Sequence, residues 1–322
     1  VYIFLDHKYK NIFNILEMNS TNDMYIINIP SIAAGNLDGI VTFNKLKNQE
    51  YLGNVTIKSK VMKYDQCKVK NVTSYEYVLI YHTRYDENWR HFLNECFCSI
   101  RYYYNFESKN IKVIIPKKHA KHVRETIEIL NLNSKVIYLD NYNCIFAKKV
   151  IYPKTHLDFK FINFFIKECN LFSKLRISNN MTKLYLSREH KNKKRSVINY
   201  NNFFEKCIRP RNYYSLIPEV LHLADQVKII NNSDKIISLI GACCDNIIFT
   251  NKNCKFIIIC SPATIRWANF YKLTPQQNIG RAYIINTGKV DNRLKLVSND
   301  PYNKHWFIDI ESTNKTLNRI NL

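Results

Sequence analysis

From residue 76 onward, short apolar runs of strand type alternate with longer stretches of helical periodicity, and this alternation restricts the fold more than any other feature. "EYVLIYH" (76–82) precedes the helical "ENWRHFLNECFCSIRYYY" (87–104). "IKVIIP" (111–116) precedes the amphipathic "KHAKHVRETIEILNL" (118–132), and "KVIYL" (135–139) and "KKVIYP" (148–153) follow as further strands. After Pro153 the pattern restarts with a helix at 157–172, a strand at 183–188 and a helix at 198–208. "EVLHLADQVKIINN" (219–232), "KIISLIG" (235–241), "KFIIICSP" (255–262), "IRWANFYKL" (265–273) and a final strand-like piece and helix (306–320) complete it. Strands alternating with helices predict an α/β fold with a parallel, doubly wound sheet, here twice over. The expected division is a first domain over 1–155 and a second over 156–322, with a ligand cleft between them. "MYIINI", "GIVTF" and "NVTIKSKVM", together with "EYVLIYH", read as a β-rich start to the first domain.

A chain of 322 residues accommodates two domains of ordinary size. No apolar run approaches the length of a membrane span. The chain opens on Val1 and is read as a piece of a longer one. With 48 Lys+Arg against 26 Asp+Glu the net charge is +22, which favours anionic partners. Lys, Asn and Ile are abundant throughout, as in chains from AT-rich genomes, so a general nucleic-acid role is not expected. The ten cysteines form no C-x-x-C pair, and several sit inside apolar runs such as "CFCSI" and "FIIIC". A zinc site is therefore not expected, and a reducing compartment, the cytoplasm, fits best. Neither G-x-G-x-x-G nor a Walker sequence occurs, which counts against NAD enzymes and P-loop ATPases.

Three stretches carry candidate chemistry. In "NWRHFLNECFCSI", helical spacing puts Trp89, Phe92, Leu93, Cys96 and Ile100 on one face. His91 and Glu95, four apart, share the other face with Asn88; either is a candidate base, and the plain alternative is a solvated polar face. The strand "KLYLSR" ends at Ser187 and Arg188, with Arg195 downstream, where guanidinium forks suit phosphate oxygens; a solvated basic loop is the alternative. In the third stretch Val220, Leu223, Ala224 and Val227 form a buried helical stripe. The next strand then runs into Gly241 and Ala242, where backbone N–H groups can approach a phosphate.

In order and spacing the three stretches resemble glycosyltransferase family 61, which includes plant xylosyl- and arabinosyltransferases and animal O-linked N-acetylglucosaminyltransferases. The likeness is carried by Asn88, Trp89, His91, Phe92, Leu93 and Glu95, then by Ser187, Arg188, Arg195 and Asn199. Pro218, Glu219, Leu221, Leu223, Gln226 and Val227 follow, and Gly241, Ala242, Asn246 and Phe249 close the set. It runs from about residue 75 to the C-terminus. The family's usual His before Gly-Ala is Ile240 here, which removes one possible donor contact. Cys243 and Cys244 stand where the family has small or apolar residues and are expected to pack.

The resemblance implies a GT-B architecture of two Rossmann-like domains, with the last helix crossing back to the first. It implies an inverting, metal-independent transferase that moves a sugar from a nucleotide donor, UDP above all, to a glycan or protein hydroxyl. No cofactor is implied beyond that co-substrate. Donor-binding residues would be Ser187, Arg188, Arg195, Asn199, Glu219, Gln226, Gly241, Ala242 and Asn246. Catalytic candidates are His91 as base, Glu95 beside it, and Asp86 on the preceding loop. No Asp-x-Asp triplet offers a divalent-ion site. The competing readings are a polyanion- or nucleic-acid-binding protein and a glycan-binding pseudoenzyme of the same fold.

Overall fold

The computed structural model describes residues 13–17, 25–28, 42–47, 50–51, 72–81, 87–105, 110–117, 119–139, 144–153, 157–178, 181–187, 197–273, 280–290 and 305–320. The chain divides into two compact units, Val1–Phe161 and Ile162–Leu322.

In unit 1 the β-rich start supplies β1 (Phe13–Glu17), β2 (Tyr25–Asn28), β3 (Thr42–Lys47) and β4 (Glu50–Tyr51). Of the expected strands there, "MYIINI" coincides with β2 and "GIVTF" overlaps only the start of β3, while "NVTIKSKVM" lies outside the described residues. The α/β part follows as β5 (Val72–Ile80), α1 (Trp89–His91), α2 (Arg101–Asn105), β6 (Lys112–Pro116), α3 (Lys121–Ile129), β7 (Val136–Leu139) and β8 (Cys144–Pro153). Strands β5, β6, β7 and β8 are parallel and lie in the order β7-β6-β5-β8, the arrangement of half a dinucleotide-binding fold. β8 also pairs antiparallel with β1 and β2, which joins the β-rich start to the same sheet. Val113, Ile114 and Ile115 are all fully buried, as a strand covered on both faces requires.

Unit 2 contains most of α4 (Phe159–Phe172), then β9 (Lys183–Leu186), α5 (Tyr200–Phe203), β10 (Tyr214–Leu216), α6 (Leu223–Asn231), β11 (Lys235–Leu239) and β12 (Lys255–Cys260). α7 (Ile265–Leu273), β13 (Arg281–Asn286), β14 (Lys289–Val290), β15 (Trp306–Phe307) and α8 (Ile310–Arg319) complete it. Five parallel strands lie in the order β10-β9-β11-β12-β13, so the chain winds one way from β9 to β10 and the other way from β11 onward. Tyr185, Ile237, Ile257 and Ile285 enter a core with Phe203, Cys207, Trp306, Ile308 and Leu317, so α8 belongs to this core. Alternate residues Ile236, Phe256 and Ile258 point the other way and are equally buried.

The segment leading into α8 is fixed at two places. Val197 bridges to Trp306, and Asn199 grips Ile308, donating from Nδ2 to its carbonyl (2.8 Å) and accepting its N–H at Oδ1 (2.9 Å). Gly288 turns the chain into β14 with φ 83°, and a Cβ there would stand 1.7 Å from the Phe307 carbonyl oxygen. Gly288→Ala is therefore expected to cost roughly 2 kcal/mol in urea unfolding. An unchanged unfolding midpoint would contradict that packing.

Candidate functional site

In an open parallel sheet, ligands bind outside the carboxyl ends of the strands where the winding reverses. In unit 2 that point lies between β9 and β11, and the residues following those strands are Ser187 and the run Ile240, Gly241, Ala242. Ser187 is buried; its N–H donates to the Leu216 carbonyl (2.8 Å), and its Oγ lies 3.2 Å from the Tyr200 hydroxyl. Arg188 and Arg195 fall outside the described residues. Tyr200, which sequence reasoning did not single out, is brought to this edge by α5.

Gly241 caps a 3-10 helix, Ala242–Phe249, and its carbonyl accepts the Cys244 N–H (2.9 Å). Such helices rarely exceed three or four residues because their hydrogen bonds are poorly aligned, so one of eight residues needs outside support. Gln226 on α6 donates from Nε2 to Asn246 Oδ1 (2.7 Å), and Asn246 Nδ2 donates to the Cys243 carbonyl (3.0 Å). The Tyr271 hydroxyl donates to Asp245 (3.0 Å), and Asn231 Nδ2 to the Phe249 carbonyl (2.9 Å). Gln226 and Asn246, expected at the donor, are both buried and spend these bonds on holding the turn after Gly241. Asn199 likewise directs its amide to Ile308. Ala242 is half-buried at the first helical position.

Cys243 and Cys244 are buried; the Cys244 thiol donates to the Leu239 carbonyl, and that of Cys243 reaches the Glu219 carboxylate at 3.8 Å. Burial pushes the Cys98, Cys254 and Cys260 thiols up to about 12 and Cys207 to about 11. A thiol is nucleophilic only as thiolate, so these four should alkylate with iodoacetamide at least about a hundredfold more slowly in the folded protein than in urea. Fast native labelling at Cys254, read by peptide mass spectrometry, would contradict this.

Glu219 is exposed on a 3-10 turn, Pro218–Val220, that ends before α6 begins. The single helix expected over 219–232 is thus broken. Val220, expected in the buried stripe, is 68% exposed, while Leu223, Ala224 and Val227 are buried. The break is capped by His222, whose Nδ1 accepts the Ala224 N–H and whose ring stacks on Phe172. A histidine is not among the usual capping residues, so the sequence carried no start signal at 222.

In unit 1 the winding reverses between β5 and β8, and the helical segment holding the catalytic candidates is the next element described after β5. Asn88, expected on a polar helix face, is the N-cap, its side chain accepting the Arg90 N–H (3.1 Å). One helix was expected over 87–104. Instead α1 passes into a π turn, Phe92–Cys96, then a 3-10 turn, Phe97–Ile100, then α2. A π turn adds a residue per turn and rotates the buried face, so Phe97, Cys98 and Ser99 are buried beside the expected Phe92, Leu93, Cys96 and Ile100, and Trp89 is only partly so. His91 ends α1, half-buried, directly before the π turn. Glu95 lies within that turn, its side chain outside what is described, as is all of Asp86.

Among the described residues no three His, Cys, Asp or Glu side chains gather as a metal-binding group, and no helix is long and apolar enough to cross a membrane. The profile of the Glycosyltransferase 61 family matches residues 89–257, more than half of the chain. No curated protein matches the sequence.

Proposed function

This chain belongs to glycosyltransferase family 61 and is a glycosyltransferase, and on that premise we propose that it transfers sugar from a UDP-sugar to a glycan or protein hydroxyl with inversion, in a GT-B arrangement. The observation that carries the donor assignment is topological. Two family-motif positions far apart in sequence, Ser187 and Gly241, follow the two strands at which the unit 2 sheet reverses. The leaving diphosphate would be met there by Arg188 and Arg195, which follow Ser187 in the chain, and by N–H groups of the turn after Gly241. Glu219 borders that turn through Cys243, and its exposed carboxylate would accept a donor hydroxyl. Gln226, Asn246 and Asn199 serve as positioning residues. The base comes from unit 1, His91 first, with Glu95 and Asp86 as the other candidates.

UDP should raise the melting temperature, and arbitrary DNA should bind weakly without a steep salt dependence. The opposite pattern would favour a polyanion-binding protein. The diphosphate is assigned to cationic side chains and backbone donors, so turnover should survive EDTA within about twofold. Complete loss, restored by manganese, would overturn the metal-independent mechanism. One observation favours a second reading. Ile240 is buried and continues the β11 ladder by donating to the Ile259 carbonyl, so this position offers no polar side chain to a donor. A glycan-binding chain without turnover would bind UDP yet hydrolyse no donor.

A further inference from the structure

Four strands of the unit 2 sheet begin on a cation: Lys183 opens β9, Lys235 β11, Lys255 β12 and Arg281 β13. The register sets them side by side in one line, Lys183 beside Lys235, Lys235 beside Lys255, and Lys255 beside Arg281. Parallel neighbours in register share a face, and strands lie about 4.8 Å apart, so the line spans roughly 14 Å. It forms the amino-end rim of the face on which Tyr185, Ile237 and Ile257 are buried. Among the described residues no carboxylate pairs with Lys183, Lys255 or Arg281. The pKa of Lys235 is pulled down by partial burial and then by Lys183 and Lys255, with Asp234 alone acting the other way. Arg211, another cation near this core, is committed to the Cys207 carbonyl and to Asn314 and Asn318.

Like charges held in line favour an anion that neutralises them, and for Lys183, Lys255 and Arg281 no carboxylate among the described residues does so. We propose that this row is a second anion site, one that holds a chain of sulfate or phosphate esters on a polyanionic glycan. Strands β9, β11, β12 and β13 are four to six residues long, so the row stands roughly 13–20 Å from the carboxyl-end donor site. A single line of cations fits an extended chain better than a flat lipid surface. Arg281 lies over the Tyr283 ring (5.5 Å), which leaves that face of the ring covered and unsuited to stacking a nucleobase. Arg281 and Lys272 also line a cavity of about 430 Å³ along β13, which gives the end of such a chain a place to enter. The choice of a glycan over nucleic acid rests on the glycosyltransferase reading; the row itself does not.

The test uses heparin as probe, with the whole chain, over a series of salt concentrations. The parent should bind heparin with an affinity that falls steeply as salt rises, and should not bind neutral dextran. The triple variant Lys183→Gln/Lys255→Gln/Arg281→Gln should bind heparin at least about tenfold more weakly, with a flatter salt dependence. Its UDP affinity should be unchanged. Lys255→Glu alone should move heparin binding in the same direction, which keeps the test alive if the triple variant folds poorly. Unchanged heparin binding in both variants would overturn the proposal, as would tighter binding of charge-matched single-stranded DNA or anionic vesicles by the parent. Heparin binding that depends on the row would stand even if UDP had no effect, a result that counts only against the donor reading.

Discussion

His91→Ala is expected to lower turnover by about a hundredfold or more while UDP affinity stays within about twofold. The split follows from where the residue sits. His91 is on the helical segment that follows β5 in unit 1, whereas the proposed diphosphate contacts all belong to unit 2. A base acts on the acceptor hydroxyl and gains its interaction only as the proton moves, so removing it falls on turnover and not on donor binding. Its place directly before a π turn is consistent with a functional position, since such turns recur at sites. Glu95→Gln should cost less than His91→Ala if Glu95 only orients the imidazole, and more if Glu95 is the base. Weaker UDP binding with turnover spared would make His91 a donor contact and move the base elsewhere, with Asp86 next to be tested.

Arg188→Ala should weaken UDP binding by tenfold or more, about 1.5–3 kcal/mol, the range for a charge-assisted hydrogen bond to a phosphate. Arg195→Ala should have a similar or smaller effect. Arg188 directly follows Ser187, whose N–H continues the pairing of β9 with β10 by donating to Leu216, so the chain is still held to the sheet one residue before the arginine. Arg188→Lys should recover only part of the loss, because an ammonium cannot reproduce the paired contacts of a guanidinium fork. UDP binding by both alanine variants at the parent's level would mean the donor site is misplaced.

Parallel strands were the most legible part of the sequence, because a strand buried on both faces must be apolar at nearly every position. "KFIIIC" and "KVIIP" became β12 and β6. β1 and β4 escaped notice because the adjacent Ile-Leu pair breaks the alternation in "FNILE" and "EY" is only two residues long, so that their partners β8 and β3 define them. The π turn at Phe92–Cys96 leaves no mark in composition, and a fixed helical period correctly predicts burial at Phe92, Leu93, Cys96 and Ile100 but misses Phe97, Cys98 and Ser99. The motif spacing picked out Gln226, Asn246 and Asn199 but not what their amides do. The partners are 20 residues away for Gln226 and 109 for Asn199, and no local pattern encodes such pairs. Ser187 and Gly241 were legible for the reason that positions them, since both interrupt an apolar run at the end of a strand.

Unit 2 is proposed to bind a nucleotide sugar, and the chain to turn it over. The most direct measurement is release of UDP when the purified chain is incubated with a panel of UDP-sugars, followed with and without added glycan acceptors. UDP release is expected from at least one donor, faster with an acceptor present, and strongly reduced in His91→Ala and Arg188→Ala. Absence of UDP release from every donor, together with no detectable UDP binding, would contradict it.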